Sequence, residues 1–141
     1  MAADTFPKIF ELEIRVYYED TDAAGVVYYA NYLKFLERGR TEWLRRLGLD
    51  QSELAESQGR MFVVRHAETS YLRPARLDDM ITVHTQIALL RRASIHFEQW
   101  VTRGEELLCR GTTQVCCVDV DGFRPAPLGD ELRTLLEKVQ S

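Results

Sequence analysis

Residues 18–43 read YEDTDAAGVVYYANYLKFLERGRTEW, an acidic loop that runs into a helical pattern. From about Tyr29, apolar side chains recur every three or four positions, while charged residues occupy the opposite side. This spacing predicts an amphipathic helix of about five turns that ends at Gly48. The inner side of the predicted helix consists of Tyr29, Leu33, Leu36, Arg40, Trp43, Leu44 and Leu47.

Strand patterns flank this helix on both sides. Phe10–Tyr18 alternates apolar and charged residues, which predicts a half-buried strand. Residues 50–59 are polar and allow a short helix, and a closing amphipathic helix begins at about Asp130. Four strand patterns lie between the short helix and the closing helix: Met61–Leu72, Met80–Leu90, Ser94–Thr102 and Leu107–Asp119.

The order of these elements predicts an α+β fold. Consecutive strands with short links pair antiparallel, and a sheet of five such strands needs cover on one face. We therefore predict one domain, residues 1–141, in which the antiparallel sheet wraps around the long central helix. Free edges of the sheet favour pairing between copies of the chain, so a homodimer or homotetramer is expected.

Composition argues against several classes of protein. The chain has 141 residues and a formal charge of −4, so a dedicated nucleic-acid binder is not expected. No apolar run reaches the roughly 20 residues that cross a bilayer, so membrane insertion is not expected either. The start of the chain lacks the basic and apolar regions of a secretory signal, which makes the cytoplasm the expected location.

Cysteine and histidine usage gives no metal signal. Cys109, Cys116 and Cys117 crowd one strand pattern, which is typical of buried apolar side chains and not of a disulfide framework. The histidines are scattered over different strand patterns without the close spacing of zinc ligands. We therefore predict neither a metal site nor a cofactor.

The acidic loop before the helix is the candidate reactive site. Glu19, Asp20 and Asp22 lie just upstream of the helix start, where unpaired amide N–H groups can stabilise an oxygen that gains negative charge. A carboxylate at this place could attack a carbonyl carbon or deprotonate a water molecule that does so. The residues alone leave a second interpretation open, in which the acidic turn only stabilises the helix N-terminus.

Residues 18–43 resemble the signature of the hotdog-fold acyl-CoA thioesterases, closest to the YbgC-type branch and its sister, the 4-hydroxybenzoyl-CoA thioesterases. The segment Pro74–Asp79 is similar to the one in which that branch begins its third strand. The resemblance covers about residues 14–125 and implies a hotdog fold and cofactor-free hydrolysis of an acyl-CoA substrate. Because YbgC-type proteins are associated with lipid metabolism, it also allows a non-enzymatic scaffold for acyl thioesters, acyl carrier protein or lipid-synthesis enzymes.

The resemblance also implies roles for particular residues. The family's catalytic carboxylate is the second aspartate of an Asp-x-Asp pair, here Asp22, and its carbonyl-polarising amide corresponds to the backbone N–H of Tyr29. YbgC-type members commonly have histidine at the latter position, whereas this chain has the tyrosine of the hydroxybenzoyl branch. A basic pair at the matching strand corner makes Arg91 and Arg92 candidates for substrate binding through the phosphates of CoA. We interpret Asp20 as a structural carboxylate that accepts backbone N–H groups.

Overall fold

Within residues 6–141, alternating apolar and polar residues form five strands, and three α-helices pack with them. The computed structural model describes residues 6–141. The elements are β1 (Ile9–Arg15), α1 (Asn31–Arg46), α2 (Gln51–Gln58), β2 (Arg60–Tyr71), β3 (Met80–Leu90), β4 (Ser94–Arg103), β5 (Glu106–Asp119) and α3 (Asp130–Val139). Both the short helix within residues 50–59 and the closing helix are therefore confirmed.

The five strands form one antiparallel sheet in the order β1-β3-β4-β5-β2. This confirms the predicted α+β fold and its five-stranded sheet. Short links make β3, β4 and β5 neighbours, and β1 and β2 add at the two sides. These two strands are thus the edges of the sheet, and each has one side that no other strand of residues 6–141 pairs with.

The first strand ends earlier than its alternating pattern predicts. β1 stops at Arg15, and a short 3-10 turn follows over Tyr18–Asp20. The cause is the carboxylate of Asp20, whose Oδ2 accepts the backbone N–H of Tyr17 at 2.9 Å and bends the chain. The tyrosines at 17 and 18 consequently lie on the surface instead of continuing the strand.

The longest helix, α1, packs against β1, β3 and β4. It begins at Asn31, two positions after Tyr29, which lies outside the helix and is 70% exposed. Near the N-terminus of α1, Phe35 joins an apolar cluster with side chains of β3, β4 and β5, and further along Trp43 joins a second cluster that includes α3. Since α2 and α3 contact β2 and β3, α1 shares the cover of the sheet with two shorter helices.

The cysteines are side chains of the core. Cys109, Cys116 and Cys117 are buried and free, and burial raises the pKa of the Cys109 thiol to about 11, so this thiol stays protonated at neutral pH. Residues 6–141 contain no group of three or more His, Cys, Asp or Glu side chains that could hold a metal ion. Within the same range, no helix combines the length and apolarity that a membrane crossing requires.

Candidate active site

A small hairpin carries the end of the acidic loop. Thr21 and Val27 form an antiparallel bridge, and the N–H of Asp22 donates to the carbonyl of Val26 at 2.9 Å. Gly25 closes the tip with a φ of +79° and donates its N–H to the carbonyl of Asp22 at 3.0 Å. Because glycine adopts a positive φ without a steric penalty, the sequence Ala-Ala-Gly favours this tight reversal.

This hairpin is fastened to the segment before β3. The N–H of Val27 donates to the carbonyl of Ala75 at 2.8 Å, and Val26 forms a bridge with Arg76. From α1, the hydroxyl of Tyr32 accepts the N–H of Ala75 at 2.9 Å. The hairpin, the first turn of α1 and the approach to β3 therefore hold one another in place.

Asp20 is structural, which confirms its predicted role. It is buried, and its Oδ2 and Oδ1 accept the N–H of Tyr17 and the Nδ2–H of Asn31, both at 2.9 Å. Both oxygens are thus used by the fold, and the second ties the loop to the start of α1. Asn31 has no sequence signal for this role, because its partner lies 11 positions earlier and meets it only after the loop has folded.

Asp22 keeps a carboxylate oxygen that the fold does not use. Its side chain is exposed, and Oδ1 accepts the N–H of Ala24 at 2.9 Å. Oδ2 makes no hydrogen bond to any of residues 6–141. A carboxylate that attacks a carbonyl or activates water needs such an uncommitted oxygen. Of the two aspartates in the Asp-x-Asp pair, Asp22 meets this condition and Asp20 does not.

Free amide N–H groups lie immediately before α1. The N–H groups of Asn31, Tyr32 and Leu33 donate to carbonyls three residues back, at 2.9, 3.2 and 3.2 Å. Those of Tyr29 and Ala30 find no acceptor within the described part of the chain, and no side chain caps the helix. These two N–H groups are available to an oxygen of a ligand.

Two exposed aromatic rings, those of Tyr29 and Tyr71, contact each other near the start of α1. The ring centroids of Tyr29 and Tyr71 are 6.0 Å apart in an edge-on arrangement, and Tyr71 lies 5.6 Å from the ring of Tyr32. Burial raises the pKa of both Tyr32 and Tyr71, so their hydroxyls stay protonated at neutral pH. Tyr71 reaches this place only through the pairing of β2 with β5, and no local sequence pattern indicates it.

Arg91 and Arg92 lie far from this loop on the same chain. They form the corner between β3 and β4, where their side chains are exposed and their carbonyls accept N–H groups of Arg133 and Leu128. The hairpin of Asp22 contacts Ala75 and Arg76, which precede the opposite end of β3, a strand of 11 residues that spans about 35 Å. A single chain therefore does not bring this arginine pair to Asp22.

The carboxylate of Asp22 is open to solvent on a single chain. A shallow cleft of about 400 Å³ beside it is lined by Tyr17, Tyr18, Glu19, Leu77 and Asp78, and it does not include Asp22. This cleft therefore does not enclose the carboxylate of Asp22.

Comparison with known proteins finds relatives along nearly the whole chain. Residues 16–136 match the family model of the Thioesterase-like superfamily. The acyl-CoA thioesterase YbgC of Haemophilus influenzae is 44% identical over 131 residues, which cover 93% of this chain and 96% of that protein. The acyl-CoA thioester hydrolase YbgC of Escherichia coli O6:H1 is 44% identical over 121 residues, 85% of this chain and 90% of that protein. The crystal structure of a probable thioesterase from Bartonella henselae superposes with a TM-score of 0.82 at 38% identity, covering 86% of this chain and 99% of that one.

Proposed function

Because the chain belongs to the thioesterase-like superfamily, we propose that it hydrolyses acyl-CoA thioesters to a free acid and CoA. The family match confirms the resemblance that residues 18–43 carry. The relatives at 44% identity are named acyl-CoA thioesterase and acyl-CoA thioester hydrolase. The observation that carries the proposal is the uncommitted Oδ2 of Asp22 on the segment that also presents the free N–H of Tyr29.

In the proposed reaction, the N–H of Tyr29 donates to the thioester carbonyl oxygen and stabilises the negative charge that this oxygen gains. Oδ2 of Asp22 either attacks the carbonyl carbon or takes a proton from a water molecule that attacks it. In the first route the C–S bond breaks, CoA leaves as a thiolate, and water hydrolyses the mixed anhydride. In the second route the water oxygen enters the free acid directly. A single turnover in heavy-oxygen water that labels the Asp22 carboxylate would establish the anhydride.

Thiol release from a panel of CoA esters tests the proposed function. The protein should release CoA from a short aliphatic, a long aliphatic or a benzoyl ester well above the uncatalysed rate. Binding of these esters without any thiol release would contradict hydrolysis. That result would favour the alternative function, a scaffold that binds acyl thioesters or acyl carrier protein.

We expect Arg91 and Arg92 to contact the CoA phosphates of a substrate bound at another subunit's Asp22, because within one chain they lie beyond the opposite end of β3 from its own Asp22 loop. Replacing both by glutamine should raise KM for CoA esters about tenfold with little change in kcat, since phosphate contacts are made equally in ground and transition states. N-acetylcysteamine thioesters lack these phosphates and provide the control, so their kcat/KM should not change. Equal losses with both kinds of ester would contradict a phosphate contact.

We also propose that two copies of the chain pair through the free edge of β2. Val64, on this strand, is 55% exposed, and Tyr71 and Leu72 at its end are 43% and 48% exposed. A second copy that pairs with this edge would bury the apolar side chains and would also cover protein surface near the active-site loop. Sedimentation should show a dimer or a tetramer, and Val64→Lys should weaken the association. A fully active monomer would contradict this proposal.

A further inference from the structure

Arg40 is a buried cation without an acidic partner. Its side chain projects from the middle of α1, and the residue is 9% exposed. Nη1 donates to Oε1 of Gln99 at 3.0 Å and approaches Oγ1 of Thr113 at 3.4 Å. Among residues 6–141, no carboxylate oxygen lies within 4.0 Å of its guanidinium. Burial lowers the pKa of Arg40, but an arginine remains charged at neutral pH.

The surrounding residues hold this guanidinium in one position. Nε2 of Gln99 donates to the carbonyl of Leu36 at 2.8 Å and to Oγ1 of Thr85 at 2.9 Å, which leaves its amide oxygen for Arg40. All of these partners are neutral, and neutral groups compensate the burial of a full charge poorly. Glu37, three positions earlier on α1, partly offsets the effect of burial on the pKa of Arg40 through its charge, but its carboxylate does not come within 4.0 Å of the guanidinium. An arginine fixed in this way is prepared for an anion at hydrogen-bond distance, which the described residues do not supply.

Part of the guanidinium remains reachable. Within residues 6–141, Nε1 of Trp43 is the one fully occluded side-chain polar atom that lacks a hydrogen-bond partner. Nε and Nη2 of Arg40 make no hydrogen bond to the described residues, so they are not sealed inside the protein. The N–H groups of Nε and Nη2 lie on one side of the guanidinium group. Such a pair can bind both oxygens of a carboxylate through two parallel hydrogen bonds.

Tyr29 and Arg40 both approach the same stretch of β5, on one face of the sheet. At one end, Tyr29 contacts Tyr71, which pairs with Cys109 of β5, and at the other end Arg40 contacts Thr113 of the same strand. The two β5 positions are four residues apart, about 14 Å along the strand. Tyr29 and Arg40 are eleven positions apart, which corresponds to about 16 Å at the rise of an α-helix.

The face of β2 beside these β5 positions is largely exposed on the single chain. Ala67 and Tyr71 are exposed and Thr69 is half-buried, and all three share the face of the sheet on which Arg40 contacts β5. On α1, Leu33 lies between Tyr29 and Arg40 and is 46% exposed. An acyl chain whose carbonyl meets the N–H of Tyr29 can therefore extend past apolar side chains toward a positive charge.

We propose that Arg40 binds a carboxylate at the far end of the acyl group, so that the preferred substrates are thioesters of dicarboxylic acids. The inference rests on the proposed thioesterase function and adds the class of acyl group. The spacing of about 14 to 16 Å between these positions, shortened by the reach of the arginine side chain, corresponds to an acyl chain of roughly six to ten carbons. Arg40 is then a specificity-determining residue, whereas Asp22 and the N–H of Tyr29 perform the reaction.

Matched pairs of CoA esters test this inference in the wild-type protein. Each pair has the same chain length and ends either in a carboxylate or in a methyl group. The ratio of their kcat/KM values should favour the carboxylate by about tenfold at one medium length and fall at shorter and longer lengths. A ratio of one or less at every length would overturn the inference.

Substitutions then assign the preference to this residue. Arg40→Met should remove the preference for the carboxylate, and Arg40→Lys should retain part of it because the charge remains. Arg45→Met is the matched control, since Arg45 lies on the same helix, is exposed and pairs with Glu42. A preference that survives in Arg40→Met would overturn the inference. The inference is also overturned if Arg40→Met changes the sedimentation mass and leaves the substrate preference unchanged. In that case the anion that pairs with Arg40 belongs to a second copy of the chain.

Binding measurements separate failure of this inference from failure of the proposed function. Non-hydrolysable thioether analogues of the same pairs can be titrated by calorimetry whether or not thiol is released. Tighter binding of the carboxylated analogue supports the role of Arg40 even if no ester is hydrolysed. Equal binding of both analogues overturns that role even if simple acyl-CoA esters are good substrates.

Discussion

Asp22→Asn should lower kcat for acyl-CoA hydrolysis by about a thousandfold while the unfolding temperature stays unchanged. An asparagine amide is neither a nucleophile nor a base at neutral pH, so either proposed route fails. The fold should tolerate the change, because the asparagine would keep an Oδ1 that accepts the N–H of Ala24 and the side chain is exposed. Steady-state kinetics and thermal unfolding followed by circular dichroism measure the two quantities.

Glu19→Gln is the matched control for this prediction. Glu19 is another exposed carboxylate of the same loop, and its replacement removes the same charge without touching the hairpin. Its kcat should stay close to that of the wild type. A wild-type-like kcat in Asp22→Asn, or equal losses in both variants, would show that Asp22 is not the reacting carboxylate.

The elements of the fold could be predicted because their patterns are local. Strand alternation and the helical repeat extend over the 7 to 16 residues of each element, and burial of one face enforces both periods. The helix α1 begins two positions after the predicted start at about Tyr29, for a physical reason. Tyr29 fits the apolar repeat of α1, but the carbonyls of residues 28–30 accept N–H groups three positions ahead, in a turn that precedes the helix.

The chemistry of the loop could be predicted in part. The aspartates at 20 and 22 are alike in sequence, and their difference arises from the fold, since the buried one bonds to Asn31 and the exposed one does not. Residues that approach from distant strands give no such signal. Gln99 and Thr113 meet Arg40 across 59 and 73 positions of sequence, and only the register of β4 and β5 places them there.

Gly39→Ala should destabilise the protein by about 2 kcal/mol, although alanine is the better helix former. In an isolated helix the same change would stabilise by about 1 kcal/mol, so the sign itself is the test. A Cβ at position 39 would lie 2.8 Å from both Oγ1 of Thr85 and Cγ1 of Val83. These side chains belong to β3 and are fully buried, so they have little room to retreat. Chemical denaturation of the wild type and the variant measures the difference in the free energy of unfolding.

A double-mutant cycle with Val83→Ala identifies the contact that causes this loss. Val83→Ala alone should destabilise, because it removes two buried methyl groups. In the double variant the space vacated at Val83 accommodates the new Cβ, so the combined loss should be smaller than the sum of the single losses by about 1 kcal/mol. Additive losses would place the strain elsewhere, and a stabilised Gly39→Ala would mean that α1 can move away from the sheet. The polar network of Gln99 connects α1 to β3 and β4 at this same position, so such a movement would also displace Arg40. The packing of Gly39 would then affect the proposed selection of the acyl group.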